Sequence, residues 1–267
     1  MNQQSKVAVI GAGVMGEALI AALISYGVKP EFITISEKRD ERAAELIAKY
    51  SIKAAPLAAN VSSADAVLLV VKPQDMGSVL EEIKAAINPA AVVITFAAGK
   101  TISFISNGLG TGNPVVRVMP NTPTLVGAGM AAASMGAGVT DAQKGFVLGF
   151  LGATGKVIEV AEELQDAVTA TSGSGPAYFF AFVEAMVTGA KALGLNDADA
   201  TTLTVQTIVG AAKLLDESGK SATTLRENVT SPNGTTAAAL ASFGSSDLNS
   251  MVAKAMKAAR DRSQELA

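Results

Sequence analysis

Lys6-Val7-Ala8-Val9-Ile10-Gly11-Ala12-Gly13-Val14-Met15-Gly16 is the stretch that decides how this chain is read. Its apolar run Val7 to Ile10, rich in β-branched residues, favours a short strand buried on both faces. Gly11, Gly13 and Gly16 follow with the spacing G-x-G-x-x-G, and an amphipathic helix continues from Val14 to Tyr26. The three glycines in that spacing provide, in turn, a tight turn, a backbone open to a pyrophosphate, and close helix-strand packing. The N–H groups freed where the helix begins meet the phosphate charge. A strand in front and a helix behind make the motif a dinucleotide site, with Gly11, Ala12, Gly13, Val14, Met15 and Gly16 around the phosphates. Gly27 fits a left-handed cap that closes the helix.

Working outward, a second strand at Phe32 to Ile35 runs into Ser36-Glu37-Lys38-Arg39. A site for NAD usually places an acid there to hold the ribose diol. A serine with adjacent cations suits a 2′-phosphate instead, so Ser36, Lys38 and Arg39 favour NADPH over NADH, and Glu37 keeps that preference moderate. Further strands are expected at Ala66 to Val71, Val92 to Phe96, Val115 to Val118 and Val157 to Val160. Helical stretches such as Asp40 to Tyr50 and Gln74 to Ile87 lie between them. This alternation predicts a doubly wound, mostly parallel α/β sheet over residues 1–160. From Ala161 the strands cease. Helices are expected at Glu163 to Ala170, Pro176 to Leu193, Ala198 to Glu217, Thr235 to Phe243 and Asp247 to Glu265, so residues 161–267 form an all-α unit. Tyr178-Phe179-Phe180-Ala181-Phe182-Val183 is apolar around much of its helix, which predicts a face buried against a second copy of the chain.

Composition removes whole classes of chemistry. The 267 residues include no cysteine, histidine or tryptophan. Disulfides, thiolate nucleophiles, thiolate metal sites and imidazole-based triads are therefore excluded. With 21 Lys and Arg against 24 Asp and Glu, the net charge of −3 gives no electrostatic reason to bind nucleic acid or an anionic membrane. The apolar fraction of 49% raises the question of a membrane span. However, the longest uncharged run, between Arg117 and Asp141, is broken by Pro120, Pro123 and several glycines. The N-terminus superficially resembles a secretory leader, but Glu17 interrupts it, so a soluble cytoplasmic protein is expected. Gly99-Lys100-Thr101 lacks the upstream glycine of a P-loop, since Ile94 stands in its place. Gly173-Ser174-Gly175 is too short for a nucleophile elbow.

Four more stretches are too specific for generic packing: Val71-Lys72-Pro73, Met119-Pro120-Asn121-Thr122-Pro123, Ser172-Gly173-Ser174-Gly175-Pro176-Ala177-Tyr178, and Asn228 to Thr236. The first two follow strands on the side where open α/β sheets bind ligands. The last is a Pro/Gly turn whose two threonines open a helix, offering N–H and hydroxyl donors to a small carboxylate. In this order, and over nearly the whole chain, the motifs closely resemble the pyrroline-5-carboxylate reductase family. That resemblance implies a Rossmann domain followed by a helical domain that interlocks two subunits, often within larger assemblies. It implies NAD(P)H-dependent reduction of a cyclic imine, 1-pyrroline-5-carboxylate, to L-proline.

By position, the resemblance implies that Val71, Lys72 and Pro73, with Phe96, Ala97 and Ala98, line the nicotinamide side, and that Asn228 reaches the cofactor. Asn60 would match a ribose-contacting asparagine. Thr235 and Thr236 would bind the substrate carboxylate together with Gly234 and Ser231, and Thr236 matches the threonine placed near the imine nitrogen. Asn233-Gly234 stands where many relatives have two glycines, a change that a backbone-mediated site tolerates. Two other readings are a related imine or β-hydroxyacid oxidoreductase and a non-catalytic NADP-sensing protein. The hydroxyacid reading needs a well-placed lysine, and Lys191 sits at the far end of its helix. The sensing reading has no use for a carboxylate cradle.

Overall fold

The structure, a computed structural model, describes residues 1–266. Strands β1 (Val7–Ile10), β2 (Ile33–Ser36), β3 (Lys53–Ala54), β4 (Ala66–Leu69), β5 (Val92–Thr95), β6 (Val115–Met119), β7 (Gly129–Met135) and β8 (Gly155–Glu159) form one sheet. Their order is β3-β2-β1-β4-β5-β6-β7-β8, and only β6 and β7 pair antiparallel. Ile10 lies level with Ser36 on one side and Leu69 on the other, so β1, β2 and β4 end together. The order reverses between β1 and β4, the switch point at which such sheets open a crevice.

Helices α1 (Val14–Tyr26), α2 (Asp40–Tyr50), α3 (Leu57–Ser62), α4 (Met76–Ile83), α5 (Ile102–Leu109) and α6 (Asp141–Gly152) flank the sheet. Val9 and Ile35 share one core with Leu19, Leu23, Phe146 and Phe150, the side chains of α1 and α6. Ala8, Val67 and Val93 share the other with Met76, Leu80 and Ile105, from α4 and α5. Because successive side chains point to opposite faces and both faces are covered, β1 reads as a continuous apolar run.

After β8 the helix expected at Glu163 to Ala170 is divided into a 3-10 turn, α7 (Gln165–Val168) and a π-helical turn that runs over Thr169–Gly173. The Ser174 N–H donates to the Thr169 carbonyl at 2.8 Å, the wider closure of a π turn. The helices that follow are α8 (Gly175–Ala192), α9 (Asp197–Glu217), α10 (Ala222–Asn228), α11 (Thr235–Ser245) and α12 (Leu248–Glu265).

The chain divides into two compact units. One holds Met1–Ser174 together with the last residues from Ala259, and the other holds Gly175–Ala258. Strands stop near residue 160 as the pattern predicts, yet the compact units divide later, and the end of α12 belongs with the sheet. Arg117 on β6 explains why. Only 5% exposed, it donates to Asp166 Oδ1 at 3.1 Å and lies 3.6 Å from Glu162 Oε1. Ser263 near the end of α12 donates to the same Asp166 oxygen at 2.8 Å. A buried cation of this kind needs its carboxylates, which the chain supplies as it leaves the sheet, and the returning helix in turn donates to one of them.

In the second unit, Pro176 sits in the first turn of α8, where its missing N–H costs little. Phe182 packs against Phe243 with ring centroids 6.3 Å apart. Phe179 and Phe180 are 62% and 63% exposed, and Leu203 and Val209 are also bare. Among the described residues, no helix is long and apolar enough to cross a membrane.

Candidate active site

A cleft of about 740 Å³ lies beyond the ends of β1, β2 and β4, bordered by Gly11, Gly13, Ser36 to Arg39, and Val70 to Lys72. Its floor is the glycine loop. Gly11 has φ +88, and a Cβ there would also lie 3.0 Å from the Val70 carbonyl oxygen. A Cβ on Gly16 would collide with the Gly11 carbonyl oxygen, whereas nothing lies within 4 Å of one built on Gly13. The outer two glycines thus serve the turn and the packing, and the middle one leaves its backbone open to the cleft. No side chain caps α1 at Gly13, so its first N–H groups face outward. Ala12 is buried, Val14 is exposed and Met15 packs at the edge of the core. This is a cradle that fits a pyrophosphate.

At the end of β2, the Ser36 hydroxyl donates to the Ala55 carbonyl at 2.9 Å and accepts from Asn60 Nδ2 at 3.0 Å. Asn60, only 4% exposed, also donates to the Thr34 carbonyl at 3.1 Å. Asn60 therefore supports Ser36 from beneath the strand and does not line this cleft. Lys38 and Arg39 do line it. Between them and the glycine loop sits Glu37, which accepts from the Ala12 N–H at 2.9 Å and from Arg39 Nε at 2.9 Å. Burial pushes the Glu37 pKa up, but the hydrogen bonds from Arg39 and Ala12 outweigh it and hold the carboxyl below its ordinary value. Behind the loop, Arg42 Nε donates to the Ala12 carbonyl at 3.1 Å and the guanidinium pairs with Glu17.

Val71 and Lys72 form another wall, and Pro73 opens the short turn that leads into α4. Phe96 and Ala97, both buried, and the half-buried Ala98 continue β5 outside that cleft. The loop they begin is backed by the end of α12: a Cβ on Gly99 would lie 2.8 Å from the Ser263 carbonyl oxygen.

Two of the diagnostic motifs hold each other. Asn121 donates to the Ser172 carbonyl at 3.2 Å and accepts from the Met130 N–H at 2.8 Å, while Gly173 packs against the Met119 methyl group. Their residue types are thus set by mutual packing, which only the folded chain reveals.

The remaining predicted residues gather in the second compact unit. Asn228 ends α10 with its side chain exposed. Ser231 to Gly234 form a turn closed by the Gly234 N–H on the Ser231 carbonyl at 3.0 Å, with Asn233 at φ +58. Gly234 caps α11 without a side-chain bond, and Thr235 and Thr236 are its first two residues. Among the described residues, neither threonine hydroxyl has a hydrogen-bond partner, and no cluster of three metal-ligating side chains occurs. Uncapped N–H groups beside two free hydroxyls form a donor set suited to a carboxylate.

The family model for pyrroline-5-carboxylate reductase dimerisation matches residues 162–266, and one described as NADP oxidoreductase, coenzyme F420-dependent, matches residues 6–99. Pyrroline-5-carboxylate reductase of Corynebacterium melassecola is 41% identical over 97% of this chain and 98% of its own length. That of Mycobacterium leprae is 39% identical over 100% and 98%. Among solved structures, a pyrroline-5-carboxylate reductase from Coxiella burnetii superposes with TM-score 0.90 at 35% identity, covering 99% of both chains. The Plasmodium falciparum pyrroline carboxylate reductase with NADP bound superposes with TM-score 0.88 at 28% identity, over 100% of this chain and 99% of that one. With its glycine cradle, its threonine-headed helix and relatives alike from end to end, the chain belongs to the pyrroline-5-carboxylate reductase family.

Proposed function

We infer that this chain is an NAD(P)H-dependent oxidoreductase that reduces the cyclic imine 1-pyrroline-5-carboxylate to L-proline, preferring NADPH and accepting NADH. The observation that carries this reading is end-to-end identity of 41% with a pyrroline-5-carboxylate reductase. A relative with NADP bound, and the cations Lys38 and Arg39 at the cleft, support the cofactor assignment. When bound, the cofactor supplies the hydride.

The chain's own residues supply placement. The glycine loop and the open start of α1 hold the pyrophosphate, and Lys38 and Arg39 take the 2′-phosphate. Val71, Lys72 and Pro73, with Phe96, Ala97, Ala98 and Asn228, border the nicotinamide part. The α11 N–H groups, with Ser231, Gly234, Thr235 and Thr236, fix the substrate carboxylate, and Thr236 orients the imine nitrogen. A protonated imine is already electrophilic, so a chain without histidine or cysteine can run this step by orientation.

The β-hydroxyacid alternative is disfavoured because Lys191, in the last turn of α8, is bound to Asp197 at 2.6 Å. Self-association through the helical unit agrees with the dimerisation model and the bare phenylalanines, and dimers, alone or in larger assemblies, are the working form. A cytoplasmic location belongs to the same proposal, as does the absence of nucleic-acid and membrane partners. Incubation with NADPH and 1-pyrroline-5-carboxylate should consume both and yield equimolar proline. Turnover with hydroxyacids but not with the imine would overturn the reading.

A further inference from the structure

A second cavity, of about 520 Å³, lies at the opposite end of the strands from the glycine cleft. Its polar lining gathers where strands begin: Lys6 ahead of β1, Glu31 ahead of β2, Lys53 opening β3 and Ser63 ahead of β4, with Thr34 and Asn60 among them. Thr34 stands level with Ala8 on one side and Lys53 on the other. Side chains alternate along a strand, so Lys6, two residues before Ala8, falls on the same face as Thr34 and Lys53. Two strand spacings across and two residues along put the lysine Cα atoms roughly 12 Å apart, so both ammoniums can reach one small ligand. Among the described residues, neither lysine side chain nor Glu31 has an ion-pair partner, and the Thr34 and Ser63 hydroxyls are unbonded.

Asn60 supplies what these surface groups alone would not. It is 4% exposed, and both of its side-chain bonds, to the Thr34 carbonyl and the Ser36 hydroxyl, run from Nδ2. The Thr34 carbonyl can only accept, and the Ser36 proton is committed to the Ala55 carbonyl, so the amide cannot turn over. Its Oδ1 is therefore an acceptor with no partner. Among the described residues, only Gln165 Oε1 is both unpartnered and sealed from solvent, so Asn60 Oδ1 is reachable, and the space its residue borders is this cavity. A nearly buried acceptor left open calls for a donor from outside the chain.

We propose that this cavity binds a small amino dicarboxylate, with its carboxylates on Lys6 and Lys53 and its ammonium on Asn60 Oδ1, facing Glu31. The charges match: two lysines and one glutamate leave the lining at +1, and an amino dicarboxylate is a monoanion at neutral pH. A phosphate would crowd its charge against Glu31 and leave Oδ1 without a donor, and a simple amine would meet two like charges. The site is separate from the cofactor cleft and does not rest on the reaction proposed above.

Isothermal titration calorimetry on the full-length protein tests it, with L-aspartate as the probe and succinate, which keeps both carboxylates but has no ammonium, as the comparison. Wild type is expected to bind L-aspartate about tenfold or more tighter than succinate, the weight of a hydrogen bond to a charged group. K6A/K53A, a change at two exposed positions, should raise the Kd for L-aspartate by at least as much. T236A should leave that Kd unchanged. Absence of L-aspartate binding, equal affinity for succinate, or binding that survives K6A/K53A would overturn the proposal. Loss of binding in T236A would place the ligand at the threonine-headed helix and overturn it equally. The succinate comparison uses wild type alone, so it stands whatever the stability of the variants.

Discussion

In the proposed reaction, Thr236 has little to supply, because the substrate arrives activated. A threonine hydroxyl is far too weak an acid to protonate an imine alone, so the role proposed for it is to orient the nitrogen or to relay a proton from water. Thr236→Ala should therefore lower kcat for pyrroline-5-carboxylate reduction by about 10- to 100-fold, the weight of one hydrogen bond to a charged group. Its Kd for NADPH should hardly change, and wild-type turnover would end the assignment. The threonine pair and the glycine loop are legible in sequence because their neighbours along the chain define them. Asn60 and Ser36 are not, because their partners are the Thr34 and Ala55 carbonyls, brought to them by the β2–β3 region of the fold. Glu37 shows the same limit: its charge is visible in sequence, but its bond to the Ala12 amide needs β1 and β2 aligned.

Between elements, Glu17 ties α1 to α2. It accepts from Lys49 Nζ at 2.8 Å and Tyr50 Oη at 3.0 Å, and pairs with Arg42. The bond from Lys49, then that from Arg42, lowers its pKa from 4.5 to about 2. A carboxyl depressed by folding contributes stability that is fully present above about pH 4.5 and is lost as pH falls toward 2. Glu17→Gln should melt a few degrees below wild type at neutral pH, with the gap closing between those two values. A gap independent of pH would show that the ion-pair network does not supply the difference. Most parallel strands are legible at this scale, because β-branched runs such as Val92–Thr95 satisfy two covered faces at once. β7 is hidden: Gly-Met-Ala-Ala-Ala-Ser-Met has no β-branched residue, and its extended form comes from pairing with β6 and β8. Likewise β3 has two residues and α10 has seven, too few for any periodicity to register.

For the whole molecule, the bare aromatic surface of α8 is the face proposed to carry self-association. Burying one such side chain is worth about 1.5–3 kcal/mol. Changing Phe179 and Phe180 together to serine should therefore weaken the dimer by orders of magnitude in sedimentation equilibrium, while the circular dichroism of the helices persists. An unchanged dimer would place the interface elsewhere. The change from strands to helices is legible in the sequence pattern, but the return of the last turns of α12 to the sheet-bearing unit is not, because Arg117, Asp166 and Ser263 are remote in sequence. That triple contact also bears on how the protein is made. Domains generally fold as units during synthesis, the N-terminal one first. Here the sheet-bearing unit keeps a place for residues near position 263, so Asp166 gains its hydroxyl partner only after the whole intervening helical unit, Gly175–Ala258, has been synthesised.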